Sequence, residues 1–428
     1  MKKVISIALA LLMVAVMLPV MAMAAEVTTA ENLQAAVATD GEVTLGDNIT
    51  ASITIPAGKT VTLNLNGKTL MNEAGKDTIY VEMGGKLTIE GTGTVDNVSH
   101  GRAAIFNNGT VILNGGTYTR SAEAGTGKDP DSDHGNSWYT ICNHGIMTVN
   151  ANVTVTNTGT YSSVFENGYQ SYNGSKERQN YVAGTNNAAP ELTINGGTFE
   201  GGKITIKNDD GGILKIGGGK FTNKGNRVVF NANKAEINGG EFYCPATYFG
   251  NEIAVDTLHA DGGQNAGQLN IYGGTFNGRI TKNEGSNVGI SGGTFNTDVT
   301  PYVGQYILAV TDGSTYYVGG VAYDAVRNAT GGTFTVKNAE GGTISNVKPG
   351  VTIVNNSDVT ITVNDKEVPT GDTYTVPGAP IIIYNPTVDT PKANDQKNPS
   401  TGANDFVSVA AAMAVVSLLG AAAVIRKK

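Results

Sequence analysis

The stretch LTINGGTF, residues 192–199, decides the fold of this chain because close copies of it recur along the sequence. Leu192 and Ile194 alternate with polar residues, which is the two-residue period of a strand with one buried face. The pair Gly196–Gly197 then predicts a turn, since glycine adopts backbone angles that other residues avoid, and Phe199 points inward again. The related copies are VILNGGTY (111–118), LKIGGGKF (214–221), AEINGGEF (235–242), LNIYGGTF (269–276) and VGISGGTF (288–295).

The spacing of these copies predicts a solenoid. Their first glycines lie at positions 115, 196, 218, 239, 273 and 292, and the closest of them follow a period of about 20 residues. One copy buries little apolar surface by itself, whereas copies stacked in parallel about 4.8 Å apart share a continuous core. The aromatic position of the repeat is then expected to form an internal ladder of Tyr118, Phe199, Phe221, Phe242, Phe276 and Phe295.

The composition supports the same architecture. The chain has 57 glycines and only 15% charged residues, which favours short strands and tight turns over long helices. The sequence therefore predicts an all-β fold, a right-handed parallel β-helix with about 20 residues per rung over residues 40–300. The repeat resembles that of Gly-rich surface proteins in the pectate-lyase-like family. That fold includes lyases, hydrolases and passive adhesins, so the resemblance implies an architecture and leaves the activity open.

Both ends of a solenoid need covers. Residues 25–39 are expected to form a helical cap, because Thr28-Thr29-Ala30-Glu31 fits the capping-box pattern and Leu33 and Val37 share one side. Residues 301–376 leave the period of the repeat but remain strand-like. We expect them to form a C-terminal cap and a small β-module.

The two cysteines are predicted to be reduced thiols, although an exported chain could oxidise them. By the period of the repeat, Cys142 and Cys244 are four or five rungs apart. Strand spacing then separates them by roughly 20 Å along the axis. A disulfide needs Cα atoms within about 7 Å of each other.

Residues 1–24 have the features of a secretory signal peptide. Lys2 and Lys3 precede an apolar run from Val4 to Val20, and Ala22-Met23-Ala24 fits a small-residue cleavage site. The alternative is a retained membrane helix, for which this run is short. The segment is therefore expected to be removed on export.

The tail, residues 398–428, has three parts. A pentapeptide is followed by an apolar run over 406–425, long enough to span a bilayer as a helix, and by the basic cluster 426–428, which would be held on the cytoplasmic side. The proline-rich segment 377–397 precedes the tail and is expected to be an extended wall spacer. The pentapeptide consists of Asn398, Pro399, Ser400, Thr401 and Gly402.

This tail resembles the sorting signal of Gram-positive cell-wall-anchored proteins, whose usual pentapeptide is LPxTG. The resemblance implies that a sortase cleaves between Thr401 and Gly402 and joins Thr401 to peptidoglycan, with helix 406–425 in the membrane before processing. Asn398 replaces the usual leucine, as in the NP-type signals that some sortases prefer, and leaves the class of sortase open. A plain C-terminal membrane anchor is the alternative. The expected location is the cell wall of a Gram-positive bacterium.

The exported part of the chain is acidic. Without residues 1–24 and 402–428 the chain loses five cations and one anion, so the formal charge of -8 becomes -12. Such a charge argues against nucleic acids and anionic lipid surfaces as partners. The lost residues are Lys2, Lys3, Arg426, Lys427, Lys428 and Asp405.

Extra residues are expected to enter at a common point of the repeat, after the inward aromatic position, at about 120–139, 158–189 and 243–264. The first two segments fall on neighbouring rungs and are rich in aromatic residues among polar ones. Such surfaces suit the flat apolar sides and the hydroxyl edges of sugars. The alternative is that the rings only pack the insertions against the solenoid. The candidate binding residues are Trp138, Tyr139, Tyr161, Tyr169, Tyr172 and Tyr181, with Phe165 in the same segment.

The first insertion also contains DPDSDHGN, in which Asp129, Asp131 and Asp133 alternate. Alternate carboxylates can bind calcium, but an EF-hand loop needs Gly and Glu where this chain has His134 and Thr140. A solvated acidic loop is the alternative that the pattern favours. No cofactor is expected.

Hydrolases of this fold use clustered carboxylates. Asp209, Asp210, His144 and Arg279 resemble fragments of polygalacturonase motifs, but the histidine precedes the aspartates, opposite to that family's order. Lyases of the fold use basic residues against an acidic sugar, and Lys176 and Arg178 would be the candidates. The acidic surface would repel uronate polymers.

We therefore expect a non-enzymatic wall-anchored surface protein, an adhesin or glycan-binding protein, whose partners are a sortase, peptidoglycan and a glycan or host ligand. A surface polysaccharide lyase or glycoside hydrolase is the first alternative, and a structural display rod is the second. Converging ionisable groups on one outward face would favour an enzyme. An aromatic, charge-poor face would favour binding.

Overall fold

The computed structural model describes most of the chain between residues 25 and 378. The predicted signal peptide, the sorting signal and the helix 406–425 lie outside the described residues. Of the residues that are described, no helix is long and apolar enough to cross a membrane. The described ranges are 25–121, 139–157, 163–169, 189–224, 226–245, 253–258, 266–339 and 342–378.

Within these ranges the chain forms a parallel β-helix with three long sheets, named A, B and C here. Each rung contributes one strand to each sheet in the order A, B, C. The rung that opens with the quoted repeat illustrates the path, with Glu191–Ile194 in sheet A, Thr198–Gly201 in sheet B and Ile204–Asn208 in sheet C. The all-β β-helix predicted from the repeat is thereby confirmed.

Sheet A consists of Ala25–Val27, Gly41–Leu45, Thr60–Asn64, Lys86–Glu90, Thr110–Leu113, Ile146–Val149, Glu191–Ile194, Ile213–Ile216, Lys234–Ile237, Gln268–Ile271 and Asn287–Ile290. Sheet B contains Ile49–Thr50, Lys68–Met71, Gly93–Asp96, Gly116–Thr119, Val153–Asn157, Thr198–Gly201, Lys220–Thr222, Glu241–Tyr243, Thr275–Asn277 and Gly293–Phe295, and continues into Tyr316–Val318, Ala309–Thr311, Gly332–Asn338, Val351–Asn355 and Thr373–Thr375. Sheet C consists of Ile53–Ile55, Ile79–Val81, Ile105–Asn107, Ile141–Asn143, Phe165–Asn167, Ile204–Asn208, Arg227–Asn231, Ile253–Thr257 and Arg279–Lys282.

The register of sheet A gives the rung length. Leu192 pairs with Leu214, and Leu214 pairs with Ala235. Leu269 pairs with Val288 in the same way near the C-terminal end of the sheet. These partners are equivalent positions of successive copies of the repeat. The period inferred from the glycine pairs is therefore the rung itself.

A row of aromatic side chains runs through the interior. The rings of Phe199, Phe221, Phe242, Phe276 and Phe295 are stacked nearly parallel, with successive centroids 4.9, 4.8, 4.6 and 4.9 Å apart. All five side chains are buried. Tyr118 occupies the same row farther along, with Val155 between it and Phe199. The predicted ladder is thus confirmed, with one aliphatic member.

A second internal row consists of asparagines at the end of sheet C. Each side-chain amide donates to the Oδ1 atom of the next asparagine, at 2.7, 2.7, 2.7 and 2.8 Å. Each of the first four also donates to a backbone carbonyl where the next strand of sheet A begins, at 3.0 to 3.2 Å. The row therefore closes the buried corner between sheets C and A. Its members are Asn107, Asn143, Asn167, Asn208 and Asn231.

The N-terminal cap is a short helix, α1, over Ala30–Val37. The hydroxyl of Thr29 accepts a hydrogen bond from the backbone N–H of Asn32, at 3.2 Å. Leu33 and Val37 are buried in the main core against the first rungs. The predicted capping helix is confirmed.

The C-terminal end of the stack is closed by a change of strand direction. Gly293–Phe295 pairs in antiparallel fashion with Tyr316–Val318, after a 3₁₀ turn at Thr300–Tyr302. The residues that follow have a hydrophobic cluster of their own, while sheet B continues into them. Their small sheet D consists of Thr343–Ile344, Ile361–Val363 and Lys366–Val368.

One element of this module was not predicted. Helix α2, over Gly320–Asn328, buries Ala322 and Val326. It begins at the second of two adjacent glycines, and strand-like sequence surrounds it, so the local pattern did not indicate a helix. The cysteines agree with expectation, because Cys142 and Cys244 are both buried and are not joined by a disulfide.

Along the chain, the long connections come both before and after strands of sheet C, so they do not share the single point of the repeat that the sequence predicts. Residues 158–189 were interpreted as one insertion, but Phe165–Asn167 forms a sheet C strand within it. Phe165 belongs to the main core and is fully buried. The extra residues therefore precede and follow short strands of sheet C. The strand Phe165–Asn167 was not predicted, because it lies in a polar, tyrosine-rich segment without a clear strand pattern.

The aromatic ladder predicts a large difference between adjacent residues. We expect Phe242→Ala to lower the free energy of unfolding by about 3–5 kcal/mol, because it leaves a cavity between two stacked rings. Tyr243→Ala is the matched control, since that ring is 46% exposed. Urea unfolding followed by circular dichroism measures both variants. Equal destabilisation by the two substitutions would contradict the ladder.

The asparagine row predicts a second difference. Replacing Asn167 by alanine removes the acceptor of Asn143 and the donor to Asn208, and leaves buried polar groups without those bonds. We expect a loss of about 2–6 kcal/mol, from about 1–3 kcal/mol for each of the two buried groups. Asn195→Ala is the control, because Asn195 donates to Asn150 in an exposed row. Its unfolding midpoint should change little under the same conditions.

Candidate functional site

The outer face of sheet C carries a group of ionisable and aromatic side chains. Side chains of a strand alternate between its two faces, so the residue before the last one of each sheet C strand points away from the core. The register aligns these residues in one row along the axis. The row contains Tyr80, Phe106, Cys142, Glu166, Lys207 and Phe230.

Aromatic rings form the first part of this face. Tyr80 and Phe106 stack with centroids 5.6 Å apart, and His144 meets Phe106 edge-on at 5.1 Å. The ring of Tyr169 lies 4.7 Å from that of His144. These four rings therefore pack against one another along this part of the face.

A buried ion pair lies beside the rings. The ammonium group of Lys207 is 2.5 Å from Asp209 Oδ2 and donates to the hydroxyl of Tyr139 at 3.1 Å. Asp209 is fully buried, and 19% of the Lys207 side chain is exposed. The pair therefore lies at the floor of the face, with the lysine toward solvent.

The pKa values of this group follow from burial and neighbouring charge. Burial acts to lower the pKa of Lys207, but Tyr139, Asp209 and Glu166 act in the opposite direction and prevail, so the pKa lies well above its ordinary value. Burial raises the pKa of Tyr139 well above its usual range. Burial lowers the pKa of His144 to about 4, against the opposing field of Asp209. At neutral pH the lysine is charged, whereas the phenol and the imidazole are neutral.

Three metal-binding side chains converge next to the ion pair. Cys142 Sγ lies 2.9 Å from Glu166 Oε2 and 3.5 Å from His144 Nε2. His144 Nε2 is 4.0 Å from the same carboxylate oxygen. Sequence reasoning missed this group, because its members lie on two rungs.

The structure places two of the predicted sugar-binding residues away from solvent. Tyr139 is 5% exposed and Tyr169 is 8% exposed, and both pack on the solenoid wall, as in the alternative interpretation of the insertions. Trp138, Tyr161, Tyr172 and Tyr181, and the calcium candidates Asp129, Asp131 and Asp133, lie outside the described residues.

The residues compared with hydrolase motifs are partly brought together. His144 and Asp209 interact on the outer face of sheet C. Asp210 pairs through its backbone with Tyr169, at 3.0 and 3.1 Å. Arg279 lies in the last strand of sheet C, three strands beyond that of Lys207.

A groove of about 810 Å³ runs along the corner between sheets A and B. It follows the glycine pairs of five successive rungs and ends at α2. The walls are formed by threonine and serine hydroxyls, backbone groups and a few larger side chains. Its lining includes Gly196, Thr198, Lys220, Glu241, Tyr272, Thr275, Ser291, Thr294, Gly320 and Val321.

The glycines of this groove have structural reasons to be glycine. A Cβ atom on Gly273 would lie 2.5 Å from the carbonyl oxygen of Asn238 on the previous rung. Gly274 has a φ angle of +109°, which other residues rarely adopt. The close rung-to-rung approach thus leaves a concave strip of exposed backbone.

Tyr272 is the prominent side chain of the groove, with 51% of its surface exposed. Lys220 and Glu241 pair at 3.6 Å and cancel each other's charge. The groove is therefore aromatic and nearly uncharged. A signal was present in the sequence, because Tyr272 precedes a glycine pair where the other copies have asparagine, glycine or serine.

The buried ion pair predicts an effect on stability. We expect Lys207→Met to cost about 3–5 kcal/mol of unfolding free energy, because it removes the ammonium group from beside the buried carboxylate of Asp209. Lys224→Met is the control, since Lys224 pairs with Glu200 in an exposed position. Thermal unfolding should leave the control unchanged. A Lys207 variant as stable as the control would show that the pair is not maintained in solution.

No protein-family model, no curated protein and no solved structure matches this chain. The fold assignment therefore depends on the repeat and on the sheet topology. Any functional assignment depends on the two surfaces above, the outer face of sheet C and the glycine-lined groove.

Proposed function

We propose that this chain is a non-enzymatic surface protein of a Gram-positive cell wall that binds a glycan chain in the glycine-lined groove. The observation that carries the proposal is the exposed ring of Tyr272 in a long, nearly uncharged groove. The display rod predicts no such surface. The adhesin expected from the sequence is retained, with a different set of contact residues.

The chemistry of the groove suits a neutral sugar polymer. An aromatic face packs against the apolar side of a pyranose ring, and hydroxyl and backbone groups exchange hydrogen bonds with its hydroxyl edge. Tyr272 supplies the ring, and Thr275 and Thr294 supply hydroxyls. The paired charges of Lys220 and Glu241 leave little net field to attract an ionic ligand.

The shape of the groove suits a chain ligand over a single sugar. Five rungs define four intervals of about 4.8 Å, so the groove extends for about 19 Å along the axis. Equivalent backbone groups repeat at each interval. A polymer with a regular repeat can therefore make the same contacts several times, and the contacts add along the chain.

The wall location is supported by the sequence of the tail. The pentapeptide 398–402, the apolar run 406–425 and the basic end together fit a sortase substrate, with peptidoglycan as the covalent partner. Residues 1–24 fit export. An exposed rod that binds glycans is a coherent use of such an anchor.

A carbohydrate-cleaving enzyme is the second candidate, and the converging groups on sheet C favour it. Glu166 and Asp209 both interact with the ammonium group of Lys207 on the outer face of sheet C. The high pKa of Lys207 makes it a poor proton acceptor at neutral pH, and its ammonium group is engaged by Asp209. Binding is therefore the function that we propose first.

A glycan array tests the proposal. We expect a fragment of residues 25–397 to bind one or more neutral glycans, and Tyr272→Ala to weaken that binding at least tenfold, about 1.4 kcal/mol, as for loss of one stacking contact. Tyr306→Ala is the matched control, because Tyr306 is 65% exposed and does not line the groove.

The outcomes separate the candidates. Binding lost only in the Tyr272 variant supports the groove. Binding that both variants retain would place the ligand elsewhere and contradict it. Any bound glycan is then incubated with the protein and analysed by mass spectrometry. Shortened or unsaturated products would replace the binding role with the enzymatic one.

A further inference from the structure

We propose that Cys142, His144 and Glu166 form a zinc-binding site on the outer face of sheet C. Their three ligand atoms, one sulfur, one ring nitrogen and one carboxylate oxygen, all lie within 4.8 Å of one another. This site is separate from the glycine-lined groove. It does not depend on the proposed glycan binding.

The β-helix itself brings the three residues together. Cys142 and His144 are two positions apart on one rung, so both point to the same face. Glu166 pairs directly with Cys142 on the next rung. Two ligands, Cys142 and His144, thus come from one rung, and the third, Glu166, comes from the adjacent strand of a sheet held by backbone hydrogen bonds. A rigid sheet is a suitable support for a metal site.

The distances fit one tetrahedral ion. Zinc binds sulfur at about 2.3 Å, nitrogen at about 2.0–2.1 Å and carboxylate oxygen at about 2.0–2.2 Å, so tetrahedral ligands lie about 3.3–3.6 Å apart. The three separations in the structure are 2.9, 3.5 and 4.0 Å. The first separation is shorter than this range, the second lies within it and the third is longer. Small side-chain rotations would bring all three into the range.

The donor set selects the type of metal. Calcium and magnesium bind oxygen ligands almost entirely, whereas zinc accepts thiolate, imidazole and carboxylate together. A thiolate and a carboxylate also balance the two positive charges of the ion. The site would then be neutral, which suits its buried position on the wall.

The geometry argues against a nucleophilic cysteine. In such sites the histidine takes the thiol proton with one ring nitrogen, and an acid orients the other nitrogen. Here Glu166 Oε2 contacts the sulfur and faces the same Nε2 atom as the sulfur does. The three groups converge on one point, which is the arrangement of metal ligands.

The histidine ring is held in place by its neighbours. Phe106 meets it edge-on at 5.1 Å, and Tyr169 lies against it at 4.7 Å. This packing fixes the plane of the ring and keeps Nε2 directed toward Cys142. Three ligands from the described residues leave one tetrahedral position for a further ligand, as in zinc sites that bind water or substrate.

Metal binding to the full-length chain, purified in detergent and stripped with a chelator, tests the site. We expect one zinc ion per chain, and the cobalt form should show thiolate-to-metal charge-transfer absorption. Removing even an outer partner of a metal site costs about 10- to 100-fold in affinity, so Cys142→Ala and Glu166→Gln should each weaken zinc binding at least about 100-fold. Cys244→Ala is the control, because Cys244 is equally buried but not in this cluster.

The cobalt spectra of the wild type and of Cys244→Ala do not require Cys142→Ala to fold, so they decide the matter even if that variant is unfolded. Thiolate absorption in the wild type and in Cys244→Ala supports the site. Zinc binding without thiolate absorption would overturn it, as would equal zinc affinity in the two cysteine variants. Absence of stoichiometric binding would also overturn it, whatever the result of the glycan array.

Discussion

In-register stacking of rungs at the strand spacing is the constraint on which the rest of this structure depends. The phenylalanine centroids are 4.6 to 4.9 Å apart, close to the distance of about 4.8 Å between neighbouring strands. Each position of a rung therefore lies directly above the same position of the previous one. A side chain in the interior stabilises this fold only if it packs well against the residue at the same position of the next rung, whether that residue is identical or complementary.

The two internal rows meet this condition in different ways. Flat rings stack face to face, and an amide carries a donor and an acceptor, so asparagines can bond in a continuous line. The asparagine row also binds the start of the next sheet A strand. Asn143 donates to the carbonyl of Glu191 across the connection that contains residues 170–188. The interior thus keeps its register although the number of residues between successive strands varies.

The sequence was informative wherever the fold repeats or follows a local rule. The repeats around the glycine pairs predicted the strands that form sheets A and B. Thr29, Leu33 and Val37 predicted helix α1. Sheet C was harder, because strands such as Phe165–Asn167 are very short and lie in polar segments. The row of side chains on the outer face of sheet C was not predictable, since Cys142 and Glu166 become neighbours only through the register of two rungs. Helix α2 was missed because strand-like sequence flanks it.

The stacking of rungs also limits which charges can lie next to each other in the row on the outer face of sheet C. Like charges on adjacent rungs would lie about 5 Å apart in a partly buried setting, where their repulsion amounts to several kcal/mol. The row avoids this, because Glu166 lies between the thiol of Cys142 and the ammonium group of Lys207. Lys207 is also shared with Asp209, so one described cation serves two carboxylates. A divalent cation held by Cys142 and Glu166 would supply further positive charge to the Glu166 carboxylate, on the side opposite Lys207.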